Sequence, residues 1–184
     1  HGSLRETRVR LLPVTSALCV LFMISPLSAL ENTFVGPLAG WRNLKTYYGA
    51  VGDGVADDTP TLQQAFDDLR ASHYHVLYLP SGTFRITSTV QLLRQEDPNL
   101  QHSTMIVGEH PSETRIVWDG PEDGVMILYN PQYSSMGRIT LDGNTRALTA
   151  IRESPIYSTA NEFFDLVIQD VGFGIEAGDG DVAH

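Results

Sequence analysis

Three aspartates recur at the same place in a repeated string. Arg115-Ile116-Val117-Trp118-Asp119-Gly120 and Arg138-Ile139-Thr140-Leu141-Asp142-Gly143 share the pattern R-I-x-x-D-G, 23 residues apart (115 to 138). A looser copy, Leu166-Val167-Ile168-Gln169-Asp170-Val171, puts its aspartate 28 residues after Asp142 (142 to 170). If the copies are coils of one structure, Asp119, Asp142 and Asp170 end equivalent strands, with neighbours roughly 4.8 Å apart. Carboxylates that close can run acid–base or nucleophilic glycoside hydrolysis, or hold calcium at a uronate. Their mutual repulsion would raise a carboxylate's proton affinity unless a cation or sugar sat there. The competing reading is that Asp before Gly is good turn chemistry.

Other residues offer weaker chemistry. Trp118, Tyr129 and Tyr133 form a candidate sugar-stacking platform, with core packing as the alternative. Gly178-Asp179-Gly180-Asp181 resembles a calcium-binding turn, which makes Asp179 and Asp181 metal candidates. Asp53, Asp57 and Asp58 read as a metal site or, more simply, as acceptors at a helix start after a glycine turn; the later bidentate acid of a calcium-binding hand is absent. His73 and His75 could share a strand face, but no third ligand stands nearby. Gly172-Phe173-Gly174-Ile175-Glu176-Ala177 imitates a dinucleotide fingerprint without the helix and later acid that one requires.

These residues need elements to position them. Leu62, Ala65, Phe66 and Leu69 repeat at i, i+3, i+4, i+7 and predict a helix over 59–72, with Asp57, Asp58 and Thr59 at its start and Pro60 in its first turn. Short branched and aromatic runs follow at 75–79, 83–87, 89–93 and 104–107, and no second amphipathic helix is evident after the first. Each copy of the repeated string is followed by a second apolar run, at 124–128, 147–151 and 172–176. Strand, turn, strand and longer connection, repeated without helices, predict a solenoid, and a parallel β-helix suits it better than a leucine-rich repeat. A solenoid needs its open end covered, and the one amphipathic helix stands in place to cap it.

Composition bounds the partners. The 184 residues carry 12 Lys and Arg against 22 Asp and Glu, a formal charge of −10, with a pI near 4.8. That excludes a basic nucleic-acid-binding face. Arg5, Arg8 and Arg10 precede an apolar stretch over 11–27 that ends in small residues, the pattern of a secretory signal peptide over 1–29. The stretch is short for a span and flanked by Pro13 and Pro26, so no stable membrane association is expected after cleavage. Cleavage also removes Cys19, the one cysteine.

The segment Asn43 to Thr59, with Tyr48-Gly49-Ala50-Val51-Gly52-Asp53-Gly54 and Asp57-Asp58-Thr59, resembles the opening motif of the pectate-lyase-like superfamily. It is similar to the branch holding polygalacturonases, rhamnogalacturonases and tailspikes. The likeness continues through the helix, through Val76 to Phe84 and through Ile106 to Glu109. The resemblance implies an all-β fold, a right-handed parallel β-helix with one N-terminal capping helix, occupying 30–184 and truncated at its C-terminus. It implies a secreted, polysaccharide-active protein, a glycoside hydrolase or uronate lyase whose catalytic residues lie mostly beyond residue 184, with calcium as a possible cofactor. The alternative is a non-catalytic carbohydrate-binding, adhesin or tailspike-type module. Asn-Thr-Asp and Arg-Ile-Lys, which the polygalacturonase branch would show, are missing from this sequence.

Overall fold

The computed structural model describes residues 36–71, 74–92, 103–153 and 160–177. The expected signal peptide, His73, Asp179 and Asp181 lie outside them. The described chain opens with β1 (Arg42–Asn43), α1 (Leu44–Tyr48), β2 (Asp53–Asp57) and α2 (Thr59–Arg70). Four coils follow: β3 (Val76–Leu79), β4 (Gly82–Ile86) and β5 (Val90–Leu92); β6 (Met105–Gly108), β7 (Thr114–Trp118) and β8 (Gly124–Tyr129); β9 (Ser135–Asp142) and β10 (Ala147–Glu153); β11 (Glu162–Gln169) and β12 (Phe173–Ala177).

Every strand pairs in parallel with its neighbour one coil away, so the fold is a parallel β-helix. Strand β9 turns a corner within its own length. Its first residues pair with β6, Met136 opposite Ile106, and its last residues pair with β7, Leu141 opposite Ile116. Arg138 makes the bend at φ 61°, and Asp165 repeats it in β11 at φ 49°. Three stacks result: β1-β3-β6 with the front halves of β9 and β11, β2-β4-β7 with their rear halves, and β5-β8-β10-β12.

Alternation along each strand builds the core. Leu77, Ile106 and Met136 stack in one interior row, Phe84, Ile116 and Leu141 in a second, and Val90, Ile127 and Ile151 in a third. All nine are at most 1% exposed. Burial of each such side chain is worth about 1.5–3 kcal/mol, and strand spacing of roughly 4.8 Å brings the side chains of successive coils into contact.

Helix α2 covers the open end, as its periodicity predicts. Leu62, Ala65, Phe66 and Leu69 are buried. The helix also satisfies the strand edge below it: Gln63 Oε1 accepts from the Gln91 backbone N–H at 2.9 Å, and Gln63 Nε2 donates to the Gln91 carbonyl at 3.1 Å. One side-chain amide thus imitates the missing neighbour strand of β5. Gln63→Ala is expected to lower stability by about 1–2 kcal/mol in urea unfolding.

The glycine-rich segment is more ordered than its composition suggests. It holds β2 and the five-residue α1, neither of which the periodicity reveals, so the cap has two helices rather than the one expected. Asn43 caps α1 by accepting from Lys45 and Thr46 N–H, and Gly49 ends it at φ 82°. Helix α2 ends at Arg70, two residues before the expected limit. Asp58 stands at its N-cap position, yet its carboxylate does not cap; it accepts from Val51 and Gly52 N–H at 2.7 and 3.0 Å. Lys45 crosses the same turn to donate to the Ser81 carbonyl at 2.7 Å, and a Cβ on Gly82 would lie 2.8 Å from its Nζ and from the Gly52 carbonyl.

Candidate functional site

Strand register separates the three repeated aspartates. Val117, not Asp119, lies opposite Asp142, and Gln169, not Asp170, lies over it. Asp119 sits in the turn after β7, where Arg85 Nη2 and Nε reach one oxygen at 2.6 and 2.8 Å and Arg146 reaches the other at 3.7 Å. Asp142 ends β9 and holds Arg115 at 3.4 Å, the Gln169 amide at 2.9 Å and the Asn144 N–H at 2.8 Å. Asp170 lies exposed in the next turn at φ 54°. The expected bare carboxylate ladder is therefore replaced by arginine and amide partners interleaved between coils.

The aromatic candidates part in the same way. Trp118 is 1% exposed, facing inward beside Ile86, and its Nε1 donates to the Pro121 carbonyl at 3.0 Å. Gly120 and Gly124 lie against its ring, where a Cβ would fall 2.3 Å from Cζ2. Tyr129 is also interior, its ring centroid 5.4 Å from that of Phe163, and burial pushes its phenol well above the usual range. Neither can offer a ring face to a sugar. Tyr133 alone of the three is exposed. The other acids of the glycine-rich segment are occupied by protein donors: Asp53 by Val55 and Ala56 N–H, Asp57 by Thr59 and Thr87. No group of three or more potential metal ligands occurs among the described residues. The pseudo-fingerprint at 172–177 lies in β12 rather than opening a helix.

The outer face of the third stack carries a different row. Gln91, Leu128, Arg152 and Glu176 lie in register on successive coils, alternating with interior Val90, Ile127 and Ile151. Arg152 Nε donates to Glu176 Oε2 at 2.8 Å, and Thr149 Oγ1 donates to the same oxygen at 3.1 Å. The Arg152 bond first, then the Thr149 bond, hold the Glu176 carboxyl below its usual range. Glu176 is therefore ionised at neutral pH and is no proton donor there. The pair is open to solvent, with side-chain exposures of 38% and 40%. The turns at 119–123, 143–146 and 170–172 lead from the second stack into this one. An arginine fork beside an acceptor suits recognition of carboxylate and hydroxyl groups. The sequence pattern does not mark the pair, because the two residues stand 24 apart in the chain and meet only through strand register.

Residues 41–181 match the family described as rhamnogalacturonase A/epimerase, pectate lyase-like. The chain belongs to that family. Mannuronan C5-epimerase AlgE3 of Azotobacter vinelandii is 32% identical over 136 residues, a match covering 63% of this chain and 7% of that protein. Alginate lyase 7 of the same organism is 31% identical over 106 residues, covering 53% of this chain and 12% of that protein. The chain thus spans a small part of the length of these relatives. Among solved structures, ORF18 of Geobacillus virus E2 superposes with a TM-score of 0.60 at 20% identity, covering 73% of this chain and 27% of that one. The A-module of the Azotobacter vinelandii mannuronan C-5 epimerase AlgE6 gives 0.51 at 21% identity, covering 74% and 40%. These likenesses establish the β-helix shared by members of this pectate lyase-like family.

Proposed function

We propose that the described coils bind an acidic polysaccharide, a chain of uronates, along the outer face of β5-β8-β10-β12. The observation that carries this reading is the open Arg152–Glu176 pair, in register with Leu128 and Gln91. Relatives named for mannuronan and alginate support a polysaccharide of this class. Arg152 meets a uronate carboxylate with its remaining N–H groups, while Glu176 and Gln91 take hydroxyls. With Glu176 already ionised, this pair holds and orients the sugar chain. The protein acts on that chain as a uronate lyase, an epimerase or a glycoside hydrolase. The basic and apolar pattern of residues 1–29 supports export, which brings the protein to such a polymer.

Loss of one charge-assisted fork costs about tenfold in affinity. Arg152→Ala is therefore expected to weaken mannuronan binding by about that factor in isothermal titration. Unchanged binding by the variant would overturn the assignment of this face.

A further inference from the structure

Six of the seven arginines among the described residues hold a carboxylate. Arg42 is the seventh, and no hydrogen-bond or ion-pair partner meets its guanidinium among those residues. It is fixed nonetheless. Its backbone lies in β1, in register with Leu77. Its guanidinium carbon lies 4.2 Å from the centroid of the Tyr47 ring and 5.8 Å from that of Tyr74, both within cation–π range. Tyr74 is buried and anchored, its hydroxyl donating to the Ala65 carbonyl at 2.6 Å. Tyr47 is 55% exposed. A guanidinium held by rings and lacking an acid loses little freedom when it meets one, and its planar fork matches a carboxylate. In a chain of net charge −10, an arginine with no carboxylate beside it among the described residues stands out.

We propose that Arg42 and Tyr47 form a second saccharide subsite, on the cap rather than on the coils, which takes a uronate unit. The carboxylate meets the Arg42 fork, and the pyranose C–H face rests on the exposed part of the Tyr47 ring. This rests on the reading that the polysaccharide is acidic, but it concerns a separate surface.

The test is nuclear magnetic resonance on the full chain, following the Nε–H signals of Arg42 and Arg152 and the ring signals of Tyr47. Trimannuronate is expected to shift the Arg42 and Tyr47 signals, and its carboxyl-reduced counterpart to leave Arg42 unmoved. Arg42→Ala and Tyr47→Ala are each expected to weaken binding at this subsite, the former by about tenfold. Tyr47 is exposed, so its variant folds even if Arg42→Ala does not. If Arg152 responds to trimannuronate and Arg42 and Tyr47 do not, the cap subsite is overturned while the acidic-polysaccharide reading stands. If neither arginine responds, both fail. If inorganic phosphate shifts Arg42 as strongly as trimannuronate does, the site is a general anion site and its assignment to uronates is overturned.

Discussion

Asp58→Ala is expected to destabilise the protein by about 4 kcal/mol, a fall in Tm of about 10 °C. Asp58 is 1% exposed, and its two oxygens accept from Val51 and Gly52 N–H. Hydrogen bonds to an ionised acceptor contribute about 1.5–3 kcal/mol each, and a donor left dry after the change carries its own desolvation cost. The loss would spread. The turn that Asp58 holds positions the Gly52 carbonyl, which accepts from Thr83 N–H at 3.0 Å and so registers the cap on β4. Asp58→Asn keeps the volume but turns at least one amide N–H toward a backbone donor, so most of the loss should remain. Thermal unfolding followed by circular dichroism would measure both. A Tm within 2 °C of the native value for either variant, roughly 1 kcal/mol, would show that the motif does not hold the cap.

Gly108→Ala has the second large expected effect, about 3 kcal/mol, in chemical unfolding. The cause is close approach. A Cβ at Gly108 would lie 2.1 Å from the Arg138 carbonyl oxygen and 2.9 Å from Ile139 Cγ1. Arg138 is held by its own contacts: its side chain donates to the Glu109 carbonyl at 2.6 and 3.2 Å and meets Asp165 at 3.5 Å. The corner cannot withdraw without breaking contacts between three coils. Gly174→Ala is the control. Its new Cβ would meet Ile168 at 3.7 Å, an ordinary contact, so stability is expected to change by less than about 0.5 kcal/mol. Equal losses in the two variants would mean that backbone freedom, not the corner carbonyl, governs both.

Strands β3 to β12 and α2 are legible in the sequence because alternation and the helical period mark buried faces directly. Register was not. The R-I-x-x-D-G copies align Asp119 with Asp142, yet the strands pair Val117 with Asp142. A slip of two residues keeps every side chain on its own face, so the hydrophobic pattern fits both alignments. The corners absorb the difference: five residues, 109–113, separate β6 from β7, whereas Arg138 alone turns the next coil. Trp118 and Tyr129 misled for a related reason. Aromatic type says nothing about which face a strand residue takes, although Ile116 two residues before Trp118 carried that signal. Helix α1 is too short to show a period. Arg152 and Glu176 became a pair only when β10 and β12 met in register.

The most direct test of the account is a titration of the full chain with mannuronan and with a neutral 1,4-linked glucan, each at low and high salt. Recognition through arginine forks predicts binding to mannuronan that weakens as salt rises, and no binding to the neutral chain. Equal affinity for both polymers, or mannuronan binding indifferent to salt, would contradict the claim that this face reads carboxylates.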